Sequence, residues 1–301
     1  MDLIDLHAHT TASDGTLPPG ELVELAFRLG LKALAVTDHD TLAGLPEALE
    51  RGRRTGVEVV AGVEISAEFK PGAMHILGYD LDLHHQGLTM ALERLQESRR
   101  TRNPKIAAKL KALGLDITLA EVEAEAGGGQ VGRPHFASVL HRKGYVSSLD
   151  EAFRRYLTKG APAYEEKFRF WPDEAVGMIV EAGGIPVLAH PFTLKLDEPG
   201  ALEELLIKLM KAGLIGLEVH YPKHDPGTIL DYLFLARKLG LAPTGGSDYH
   251  GKNNDGVELG SGYGDLAVPY ELLAGLRRAF ATPKRLRPRR SGGPSDGDNS
   301  T

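Results

Sequence analysis

The sequence predicts an α/β protein: a parallel sheet, open or closed into a barrel, interrupted by a helical insertion. Three observations predict it. Seven short apolar runs recur along the 301 residues, most of them separated by helix-like segments, which is the rhythm of strand–helix–strand units. The region from about 90 to 165 breaks that rhythm, with helical pattern and no clear buried strand. A composition of 42% hydrophobic and 25% charged residues is that of an ordinary globular chain, and a chain this long can bury a sizeable core.

The apolar runs are LIDL (3–6), ALAVT (33–37), VEVVAGVEI (57–65), MHILGYDL (74–81), IPVLAH (185–190), IGLEVHY (215–221) and APTGGSD (242–248). Between them, PPGELVELAFRLG (18–30) opens on proline and closes on glycine, as helices tend to. PDEAVGMIVEAGG (172–184) and TILDYLFLARKLG (228–240) close the same way. The chain therefore divides into a first sheet part (1–93), a helical insertion (94–169), a second sheet part (170–281) and a tail (282–301). The tail is rich in Pro, Gly, Ser and charge and is expected to be disordered. Its basic run KRLRPRR reads as solubilising, with contact to nucleic acid as the alternative. The glycine-rich GGGQVG (127–132) reads as flexible linkage.

Composition narrows the function classes. There is no cysteine, so there is no disulfide framework, and any metal must use nitrogen and oxygen ligands. The start, MDLIDLHAH, has no basic or apolar leader region, and no apolar run approaches the ~20 residues of a membrane span. A cytoplasmic protein without membrane contact is the expectation. Charge is uneven. The insertion carries 15 Lys+Arg against 9 Asp+Glu, a balance of +6 in a chain of net −6. A basic module on an acidic body suits an anionic ligand held between them, although a solvated helix surface gives the same balance.

The chemistry lies in the histidines. In DLHAHTTASDG (5–15), strand alternation puts His7 and His9 on one side of the backbone. Two such imidazoles either share a metal or repel when protonated. His39 follows the second run, Glu64 ends the third, and His75 opens the fourth. His190 and His220 end the fifth and sixth, and Asp248 and His250 end the last. One histidine at a strand end is usually structural. Imidazoles and carboxylates collected at one end of a sheet suit borderline divalent ions, and that end is where α/β barrels build active sites.

These blocks (DLHAHTTASDG, VTDHDT, GVEIS, LAHP and GSDYH) resemble the polymerase and histidinol phosphatase (PHP) superfamily, over about residues 1–95 and 165–275. GRPHFASVL and AFRRYLTKG narrow the resemblance to the branch of 3′,5′-nucleoside bisphosphate phosphatases and 5′-to-3′ exoribonucleases. It implies a distorted (β/α)7 barrel with three divalent metals per chain, manganese first, with iron, zinc or cobalt also suited. It implies His7, His9, Glu64 and Asp248 at the first metal, and Glu64, His75 and His190 at the second. Asp14, His39 and His250 would hold the third. Asp38 is expected either to orient an imidazole or to serve only its turn. The nucleophile would be water activated by the metals, with no protein nucleophile. Arg133, His135 and Lys159 are the expected clamp for a second phosphate, with Arg99 and Arg102 weaker candidates. His220 and Tyr221 are expected near the mouth. His84, His85, His141 and His224 receive no role. The implied substrate is a small nucleotide or short RNA, with no stable protein partner. The alternatives are a histidinol-phosphate-type phosphatase and a nucleic-acid-binding accessory module.

Overall fold

Eight strands form one sheet: β1 (Leu3–Ala8), β2 (Ala33–Val36), β3 (Glu58–Ala67), β4 (Met74–Tyr79), β5 (Ile185–Leu188), β6 (Gly216–His220), β7 (Ala242–Gly245) and β8 (Val268–Pro269). Their order is β7-β6-β5-β4-β3-β2-β1-β8. This computed structural model describes residues 2–254 and 256–282; the tail read as disordered lies, apart from Thr282, outside the described residues. The seven apolar runs are β1 to β7; β8 is an added strand, antiparallel to β1.

One expectation needs correction. The sheet is not parallel throughout, because β4 runs antiparallel to both β3 and β5. Only residues 68–73 join β3 to β4. A parallel crossover takes a dozen or more residues, so this link permits only a hairpin. The reversal has a consequence for the site. His75 stands near the start of β4, opposite Ser66 near the end of β3. It thus reaches the rim where its antiparallel neighbours β3 and β5 end.

The sheet nearly closes on itself. Beyond β7, Tyr249 pairs with Ala8 of β1, and His9 N–H donates to Tyr249 O at 2.9 Å. Inside, Ile4, Leu6, Ala33, Val60, Leu77, Tyr79 and Val187 form one buried cluster. The Tyr79 hydroxyl crosses from β4 to donate to Leu6 O on β1 at 2.8 Å. Such a bond between non-adjacent strands requires a curled sheet.

Among the described residues there are ten α-helices: α1 (Pro19–Arg28), α2 (Leu45–Thr55), α3 (Gln86–Ala112), α4 (Leu119–Glu125), α5 (Arg133–Arg142), α6 (Leu149–Ala152), α7 (Pro172–Glu181), α8 (Ala201–Ala212), α9 (Pro226–Leu239) and α10 (Tyr270–Ala281). No helix among the described residues is long and apolar enough to cross a membrane. The long α3 serves two cores. Leu88, Leu92 and Leu95 pack with the sheet and with α7 and α8. Ile106 and Leu110 pack with Val122, Phe136, Leu140 and Leu157 in a core belonging to the insertion. The glycine-rich segment is packed rather than loose. Gly129 lies so close to Thr11 O that a Cβ would collide with it, and Gln130 N–H donates to Ala12 O at 3.1 Å.

Closure depends on one bare backbone position. A Cβ at Gly246 would run into the backbone nitrogen and Cβ of His7. Gly246→Ala should therefore cost about 1–3 kcal/mol through overpacking, read as a lower thermal midpoint. An unchanged midpoint would mean that the seam yields freely.

Candidate metal centre

Six imidazoles and three carboxylates meet at the rim. His7 Nε2 lies 3.4 Å from Glu64 Oε2 and 3.3 Å from Asp248 Oδ1. His9 Nε2 lies 3.3 and 3.2 Å from the same two oxygens. The other Glu64 oxygen faces His75 Nδ1 at 2.7 Å and His190 Nε2 at 2.9 Å. Asp14 lies 3.4 Å from His250 Nε2 and 3.8 Å from both His9 Nδ1 and His39 Nε2. His39 turns its Nδ1 to Glu64 Oε2 at 3.0 Å. Three groups could each hold a cation: His7, His9, Glu64 and Asp248; His9, Asp14, His39 and His250; His39, Glu64 and His75. His9 and His39 each stand between two groups, a sharing that the sequence reading did not assign.

The donor set fits divalent ions on two counts. Two donors about 2.1 Å from one ion, at ordinary coordination angles, lie about 3.0–3.4 Å apart, which is the spacing of His7 and His9 from Glu64 and Asp248. Among the described residues, eight buried side-chain atoms have no hydrogen-bond partner, and six belong here: His7 Nε2, both His9 ring nitrogens, Asp14 Oδ1, His39 Nδ1 and Glu64 Oε2. Buried polar groups left in this way are costly unless something binds them.

Surrounding groups aim the donors. His7 Nδ1 bonds Glu218 Oε1 at 2.9 Å, leaving Nε2 for the cluster. Glu218 Oε2 accepts from His190 N–H at 2.7 Å, bracing a residue whose φ of 21° is uncommon for a side chain with a Cβ. His190 Nδ1 meets Thr193 Oγ1 at 3.1 Å, and His250 Nδ1 meets Asp248 O at 2.8 Å. Each contact selects the tautomer that frees Nε2. The Tyr221 hydroxyl donates to Asp248 Oδ2 at 2.8 Å. Asp38 orients no imidazole; it accepts from Thr10 N–H at 2.8 Å, Thr10 Oγ1 at 2.7 Å and Ser13 Oγ at 2.6 Å. It thus shapes the loop that presents Asp14.

The potential at the cluster is strongly negative around His7 and His9. Burial opposes charge on both, yet Glu218, Asp248 and Glu64 drive the pKa of His7 well above its usual value. Asp248 and Glu64 push His9 up to about 10. Burial drives His75 down instead, to about 4.

Asp14, His39 and His75 open on a cleft of about 690 Å³ whose far wall comes from the insertion: Arg99, Arg102, Arg133, Lys159, Lys167 and Arg169. Arg102 is 3% exposed. Among the described residues its guanidinium bonds only the Asn103 side chain, through Nε and Nη2 at 3.2 and 2.9 Å. Burial, then Arg99, Arg133 and Arg169, hold its pKa well below the usual arginine value. Arg133 donates to Leu157 O at 3.0 Å, and burial above all brings it down to about 10. Arg99 does not face solvent; it pairs with Asp40 Oδ2 at 2.5 Å. Lys159 is exposed, 3.6 Å from Glu166.

Two sequence candidates lie elsewhere. His135 does not line the cleft, and its Nδ1 accepts from Gly132 N–H at 2.9 Å, capping α5. His220 has no hydrogen bond, ion pair or ring contact with the cluster. Pairing of β6 with β7 slips between Glu218 and His220, so the two lose the shared face that alternation predicts.

Residues 5–145 match the PHP domain model. The chain is 33% identical to a 3′,5′-nucleoside bisphosphate phosphatase of Chromobacterium violaceum, over 86% of this chain and 91% of that one. The chain belongs to the PHP family. It is also 36% identical to a 5′-3′ exoribonuclease of Haemophilus influenzae, over 84% of this chain and 95% of that one. A solved structure from Bifidobacterium adolescentis, described as a metal-dependent phosphoesterase, aligns with a TM-score of 0.81 at 29% identity, covering 92% and 96% of the two chains. With PHP membership, the cluster makes this protein a metal-dependent hydrolase.

Sequence reasoning missed Glu218, Lys167 and Arg169 of this PHP site. Glu218 had a signal: a carboxylate in the middle of the apolar run IGLEVHY. Lys167 and Arg169 had none, since their segment reads as one more charged stretch.

Two outcomes follow for metal binding. Glu218→Gln should keep the fold yet weaken metal affinity about 10- to 100-fold, by calorimetric titration of the metal-free protein; unchanged affinity would make Glu218 a packing residue. Affinity should also rise with pH between 6 and 9. Metal must displace the proton that His9 retains while its pKa is about 10. Titrations in buffers of different ionisation enthalpy should show proton release, and a flat pH profile would contradict the assignment.

Proposed function

We propose that this PHP protein is a phosphoesterase that removes the 3′-phosphate of nucleoside 3′,5′-bisphosphates. On short 5′-phosphorylated RNA it would release mononucleotides from the 5′ end. One observation carries the reading: the donor cluster and a set of cations, Arg99 and Arg102 buried and Arg133, Lys167 and Arg169 half-buried, face each other across a single cleft. An ester phosphate at the cluster leaves a second anion within the same cleft as Arg102 and Arg133. A buried guanidinium with no carboxylate partner is costly, and a bound phosphate would satisfy it through charge-assisted bonds. The names of the two bacterial relatives support the nucleotide class and the polarity.

The ligand sets proposed are those implied by the motifs, with His9 and His39 able to serve neighbouring ions; the geometric groups place His39 with Glu64 and His75 and leave His190 beside Glu64 but outside them. Three ions are proposed, manganese first and iron, zinc or cobalt next. Divalent cations held there polarise a phosphoryl oxygen and lower the pKa of water toward neutrality. The protein's own groups do the rest. Glu218 and Tyr221 fix His7 and Asp248, and Arg102, Arg133 and Lys167 grip the second phosphate, with Lys159 at the mouth. Holding both phosphates sets the ester in line for attack. A cationic substrate such as histidinol phosphate gains nothing from that wall.

Arg102→Met tests the clamp. It should lower kcat/KM on a 3′,5′-bisphosphate by about 2–4 kcal/mol, some 30- to 1,000-fold, and leave an aryl monophosphate far less affected. Equal losses on both would move Arg102 to the scissile phosphate or to the fold. A short RNA with a 5′-hydroxyl should be degraded much more slowly than its 5′-phosphorylated form; equal rates would end the clamp reading.

A further inference from the structure

Phe192 lies two residues beyond His190, in the 3-10 turn Pro191–Leu194. It lines the cleft and is 38% exposed. An isolated exposed phenylalanine means little. This one is held by other rings. Tyr221 backs it at a centroid distance of 5.4 Å and a tilt of 37°, and His224 meets it edge-on at 5.6 Å and 81°. His190 stands edge-on at 6.4 Å. Tyr221 and His224 are each 5% exposed, and Tyr232 packs behind His224 at 5.1 Å. The stack is rigid on its buried side and ends in a ring open to the cleft, beside a proposed metal ligand.

Resting on the nucleotide reading above, we infer that Phe192 is the stacking platform for the substrate's nucleobase. The platform reads the π-face and not the base edge. Thr193, the next residue along the chain, is already engaged with Ala73 O, His190 O and His190 Nδ1 at 3.0–3.1 Å. Stacking on an aromatic ring is sequence-tolerant, because every base has a π-face. Adenine, guanine, cytosine and uracil bisphosphates are therefore turned over with similar kcat/KM.

The test compares a nucleoside 3′,5′-bisphosphate with the same sugar bisphosphate lacking a base, using the metal-loaded full chain. The wild type should prefer the nucleotide about tenfold or more in kcat/KM, mainly through KM. Phe192→Ala should bring that ratio close to one, and Phe192→Trp should restore it. Metal content is measured on each variant. A ratio unchanged in Phe192→Ala overturns the platform. So does an equal loss on both substrates with falling metal content, which would make Phe192 a support for His190. If the wild type hydrolyses both substrates equally well, the platform falls and the phosphate clamp stands. If it hydrolyses neither, both readings fall together.

Discussion

The site depends on one buried carboxylate. Glu64 is 1% exposed and faces His7, His9 and His39 with one oxygen and His75 and His190 with the other. No single proton can satisfy that many donors and acceptors in so dry a place. Although burial opposes its charge, His39, His75 and His7 hold Glu64 far below the usual carboxylate range. The arrangement makes sense as a socket for positive charge, and the surrounding geometry serves it. The hairpin that reverses β4 brings His75 to the same oxygen as His190. Glu218 holds His7 and the backbone of His190 with its two oxygens.

A second carboxylate couples this socket to the insertion. Asp40, next to His39, is fully buried and accepts from Ser66 N–H at 2.8 Å. It also pairs with Arg99 from α3 at 2.5 Å and with Lys167 at 2.8 Å. Burial opposes its charge, yet Lys167 and Arg99 hold it far below the ordinary carboxylate range. Two cations on one carboxylate leave an excess positive charge beside the cleft. Burial and Arg99 keep Lys167 well below its usual pKa, and an incoming anion would act in the opposite direction. A buried pair of this kind adds little net stability; here it fixes the insertion against the loop that carries His39. Gln130 adds to the tie by donating to His39 O at 2.7 Å.

Much of this was legible in the chain. The strand runs, the helices that close on glycine and the types and order of the donors all follow from local rules: periodicity, capping and the chemistry of imidazole and carboxylate. Those rules act within a few residues, so a single sequence carries them. What depended on pairing was not legible. Strand direction at β4 is decided by the short link 68–73 to β3 together with pairing to β5, which lies far along the chain. The slip between Glu218 and His220 is invisible to an alternation count, so His220 looked like a site residue while Glu218 did not. His135 is drawn to a helix cap by the nearest backbone N–H. Lys167, unremarkable as a member of a charged stretch, and Arg99, expected only as a weaker clamp candidate, lose their solvent because Asp40 pairs with both across the fold. The sequence by itself determined which chemical groups exist and which strand ends carry them. Only the tertiary structure decided which groups share an ion, which cations lose their solvent and which ring faces the cleft, because burial and distance between remote residues are properties of the packed chain.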